Sequence, residues 1–192
     1  MTALDLLRPL IGWTIGDAAP DPEARLKSLR ALVPGRLPDD YAETLLMLNQ
    51  AVSLENNQII SIEPPRPREP GVFEYIGPNP PIEQLYGLGD SHFNVIAKID
   101  GVGQRLPPGL IAIGSDAGAN QICLDVSERG NGRVYHWFRV GDPGPDDEQG
   151  RPGWGNTFLL AESFTDLCRR LRLVLPDDEP RRPIGKICFS RP

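Results

Sequence analysis

Side-chain chemistry needs acids, bases, nucleophiles or metal ligands at workable spacing, and this chain has few candidates. Its 2 histidines, His92 and His136, fall in separate predicted elements, and neither has a Cys or His neighbour at metal-ligand spacing. The 3 cysteines, Cys123, Cys168 and Cys188, are odd in number and form no Cys-x-x-Cys pair, which excludes a disulfide framework and a zinc site. Gly114-Ser115-Asp116-Ala117-Gly118 has the composition of a nucleophile elbow, but that motif centres its Ser between the glycines and leads into a helix. Here Ser115 is off-centre and strand-forming residues follow. Asp116, Asn120 and Asp125 lack the spacing and the closing Glu of a calcium loop, so the expectation is a turn whose Asp and Asn bond their own backbone. Gly87-Leu88-Gly89 and Gly101-Val102-Gly103 each lack the third glycine and the strand–helix setting of a dinucleotide site. The carboxylate pairs Asp39/Asp40, Asp146/Asp147 and Asp177/Asp178 sit at a helix start or in loops. These residues predict no catalytic group, no cofactor and no metal.

The elements that position them are clearest over residues 106–138. An apolar run at 110–113 is entered through Pro107, Pro108 and Gly109. Residues 115–120 are small and polar, and need positive φ at Gly118. Ile122, Leu124 and Val126 alternate with Cys123 and Asp125, the period of a half-buried strand. Residues 128–132 form a Gly/Asn turn, and 134–138 a β-branched and aromatic strand, together a hairpin signal.

Pro-x-Gly-Leu, Ile-Gly-Ser-Asp-x-Gly-x-Asn, Ile-Cys-Leu-Asp and Val-Tyr-x-Trp, in this order, resemble the SMI1/KNR4 family of the SUKH superfamily. Leu37-Pro38-Asp39-Asp40-Tyr41 with Leu45, Leu46 and Asn49 is similar to its N-terminal helix, which ends in Asn-Gly. Residues 85–88 resemble its first central strand and 161–167 its closing helix. Gln50 stands where the family usually has Gly, and Ala119 where it often has a second Gly. The resemblance implies an α+β fold, a largely antiparallel curved sheet flanked by helices, and a non-enzymatic domain. For a chain of this size it implies an immunity protein that neutralises a polymorphic or contact-dependent toxin. The alternatives are a regulatory scaffold of the fungal cell-wall type, and a small enzyme or ligand binder.

A chain of 192 residues with 40% hydrophobic and 24% charged content is an ordinary globular protein, most simply one domain. Its formal charge of −6 argues against nucleic acid, whose phosphates demand a basic face, and suits solubility or a basic protein partner. With no run approaching a membrane span and no signal-like N-terminus, the expectation is a cytoplasmic protein with no membrane contact.

Along the chain, residues 2–11 suggest a short helix weakened by Pro9. Asp21-Pro22-Glu23 starts a helix that places Leu26, Leu29, Leu32 and Val33 on one face. Residues 38–49 form the next helix, with Tyr41, Leu45 and Leu48 inward. Strands are expected at 58–62, 72–76, 82–88 and 158–160. A helix capped by Ser91 carries Phe93, Ile96 and Ile99, and a closing helix spans 162–175. The proline-rich stretch 63–71 (EPPRPREPG) is an extended loop with the composition of an SH3-type ligand. The expected division is a helical extension at 1–36 packed on the domain, an SMI1/KNR4-like domain at 37–175, and a proline-rich tail at 176–192. In that tail Ile184, Ile187 and Phe189 could add an edge strand.

What remains is a binding surface. The loop at 140–155 carries Asp142, Asp146, Asp147 and Glu148 beside Trp154, whose ring is either tucked on the core or displayed as an anchor. Tyr86, Asp116 and Trp137 complete the candidate partner-binding set. The expected partner is a basic toxin domain, covered at its active cleft by a surface that presents carboxylates where phosphates would lie.

Overall fold

The computed structural model describes residues 1–63, 79–128, 130, 132–139, 150 and 153–174. The proline-rich residues 64–71, the strand expected at 72–76, loop residues 140–149, and the tail with Cys188 lie outside them.

Thr2 starts the first helix, α1 (Ala3–Leu7), through a capping box: Asp5 N donates to Thr2 Oγ1 at 3.2 Å and Thr2 N to Asp5 Oδ2 at 2.9 Å. Pro9 ends the helix in a 3₁₀ turn, and the chain then extends as β1 (Ile11–Ile15). The segment expected to be a helical extension therefore contributes a strand. In α2 (Pro22–Leu32), Asp21 caps Ala24 N at 2.9 Å, and Leu26 and Leu29 are buried. Leu32, expected on the same face, is 50% exposed because the helix closes on the core only through its first two turns. In α3 (Asp39–Leu48), Tyr41, Ala42, Thr44 and Leu45 are buried. It ends at Asn49, which takes φ +56° and bonds Ala19 N and O through its side chain, both at 3.0 Å.

The remaining elements are β2 (Ala51–Leu54), β3 (Asn57–Ile59), β4 (Gln84–Leu85), α4 (Val95–Asp100), β5 (Leu110–Ser115), β6 (Gln121–Asp125), β7 (Val134–Trp137), β8 (Thr157–Ala161), α5 (Phe164–Arg170) and β9 (Leu171–Leu173). One sheet runs β1-β2-β4-β5-β6-β7-β8 with every pairing antiparallel, and β3 pairs β9 in a second, two-stranded sheet. The fold is α+β. Residues 110–115, 121–125 and 134–137 are neighbouring strands, as their alternation and turns predict.

Four readings change. The cap of α4 is Asn94, whose Oδ1 accepts Ile96 N at 2.8 Å, whereas Ser91 Oγ accepts only Phe93 N in the preceding turn. The closing helix stops at Arg170, because pairing with β3 draws residues 171–173 into a strand against their helical periodicity. Positive φ falls at Ala119 (+60°), not at Gly118. β6 is buried at all five positions rather than half-buried, since both faces of the sheet are covered there. Ile122, Cys123 and Leu124 are each 0% exposed, and each buried side chain of the Ile or Leu kind contributes about 1.5–3 kcal/mol.

Candidate functional site

The residues that looked chemically capable meet where β5 turns into β6. Asp116 Oδ1 accepts the backbone N–H groups of Gly118 and Asn120, both at 2.9 Å. Its Oδ2 accepts Asn120 Nδ2 at 2.9 Å and lies 3.0 Å from Nε2 of His136 on β7. Burial pushes the Asp116 carboxyl up, but the His136 contact and the Asn120 bonds outweigh it and hold the group below the usual carboxylate range. An ionised carboxylate only accepts, so His136 Nε2 carries the proton of this bond.

A carboxylate orienting an imidazole is half of a nucleophilic triad. The other half needs a nucleophile at Nδ1 and an opening for substrate. His136 is 0% exposed, packs edge-on to Phe138 at 4.5 Å, and its Nδ1 meets no hydrogen-bond partner among the described residues. Cys123 and Cys168 are buried and burial pushes both thiols up, away from the reactive thiolate. Among the described residues no group of three or more His, Cys, Asp or Glu could hold a metal ion.

The arrangement is a clamp. It closes the β5–β6 turn, ties β7 to it, and continues outward. Asn120 Oδ1 accepts Arg139 N at 3.1 Å, Phe138 N donates to Asn156 O at 3.0 Å, and Asn156 Nδ2 donates to Phe138 O at 2.5 Å. Both ends of the β7–β8 connection are thereby fixed to the sheet. On the neighbouring strands Tyr86 OH donates to Gln121 Oε1 at 2.9 Å, and Gln121 Nε2 donates to Ala119 O at 2.8 Å. The Lys98 ammonium lies 4.8 Å from the Tyr86 ring and 5.2 Å from that of Phe93.

The candidate partner-binding residues divide sharply. Tyr86 and Asp116 are buried, and Trp137 is wholly enclosed with the Arg105 guanidinium 5.9 Å from its ring centre. Trp154 is 9% exposed and meets Tyr135 edge-on at 5.1 Å, so its ring is tucked, not displayed. These aromatic rings are core members, and for Trp154 the structure shows the tucked of its two alternatives. Asp142, Asp146, Asp147 and Glu148 lie outside the described residues.

Sequence reasoning missed His136 as the partner of Asp116. Only the register reveals it: His136 stands opposite Ile122 on β6, and its fully buried ring needs a hydrogen-bond partner. Trp13 was also missed; it is 57% exposed on β1.

No helix among the described residues is long and apolar enough to cross a membrane. A family model described as SMI1 / KNR4 family (SUKH-1) matches residues 22–170, more than half of the chain. The chain is also similar to the SPbeta prophage-derived uncharacterized protein YokK of Bacillus subtilis (strain 168), 34% identical over 85 residues. That match takes in 44% of this chain and spans 38% of the relative's length. No solved structure matches the chain.

Proposed function

From the premise that the chain belongs to the SMI1/KNR4 family (SUKH-1), we propose that it is a non-enzymatic, cytoplasmic protein-binding domain that neutralises a toxin by covering its active site. Domains of this family are commonly protein-binding immunity proteins. The observation that carries the reading is the use made of the Asp116–His136 pair. This is the one histidine–carboxylate contact among the described residues, and the carboxylate is committed to four hydrogen bonds inside the fold. The pair stiffens a platform instead of facing a substrate.

The platform fixes the departure and return of the 140–152 connection, which carries Asp142, Asp146, Asp147 and Glu148. Loops held by a rigid scaffold are where recognition residues concentrate. Carboxylates there would speed encounter with a basic toxin and occupy the positions of its substrate phosphates. The prophage origin printed for the relative fits a gene carried with a toxin.

The test is to read the gene beside this one and co-express the chain with the toxin domain the reading expects there; a neighbourhood without any toxin domain counts against it. The reading expects cell survival to be restored and a one-to-one complex to form, with association slowed by added salt. Cells that die regardless of the chain, with no complex formed, would refute it.

A further inference from the structure

We draw no further inference here: the strongest candidate, the surface patch on the end strand β1 around the exposed indole of Trp13, carries none because nothing among the described residues shows what covers it.

Discussion

Asp116 and His136 lie 3% and 0% exposed at the centre of the sheet, while Trp13 stands 57% exposed on β1, an end strand of the sheet among the described residues. The centre holds the residue types that usually do chemistry and uses them to hold strands together. The rim holds plain residues (Ile, Gly, Trp, Thr) and exposes an indole. In this fold reactivity is not read from residue type alone. A carboxylate–imidazole pair with no access is a fastening, and an uncharged strand with access is a surface.

The comparison can be broken most forcefully at the centre. Trp137→Ala should destabilise the chain by about 3–5 kcal/mol, because the indole is wholly enclosed and its removal leaves a cavity. Urea denaturation reads this directly; a loss under about 1 kcal/mol would mean that the ring is not the core member described here.

Asp116→Asn should cost about 2 kcal/mol, since it weakens charge-assisted bonds at a buried site. It should also change the acid limb of stability. The folded Asp116 carboxyl is held below its usual value, so its contribution is fully present above about pH 3.9 and is lost as pH falls through the folded value. Urea midpoints followed downward from about pH 5 should fall less steeply in the Asn variant than in the parent. Parallel slopes would remove the clamp's electrostatic role.

The smallest effect sharpens the turn. Ala119 sits at φ +60°, where a side chain costs roughly 1–2 kcal/mol and glycine's extra freedom when unfolded costs about 0.5–1. Ala119→Gly should therefore raise stability by up to about 1 kcal/mol, read as a shifted urea midpoint. A decrease would show that the turn strain is relieved elsewhere.

The meander was legible because its signals are local: Ile122, Leu124 and Val126 alternate, and glycines mark the turns on either side. β1 was not legible. Pro9 and Gly12 break its pattern, and its partner β2 lies far along the chain at Ala51–Leu54. The end of α5 was misjudged because Leu167 and Leu171 keep a helical period, and only pairing with β3 pulls residues 171–173 away. The clamp joins residues 20 apart in sequence through the β6–β7 register, which no spacing rule encodes. The tucked position of Trp154 depends on Tyr135, a residue of another strand. In each failure a distant partner overrode a local pattern.

Survival of cells carrying a toxin domain that the parent chain neutralises, protected by Asp116→Asn and measured at a temperature where that variant's circular dichroism matches the parent's, tests the central claim most directly. If the buried pair is a fastening beneath a binding surface, the folded variant protects as well as the parent. Protection lost while the fold and the complex persist would contradict this account and give Asp116 and His136 a chemical role.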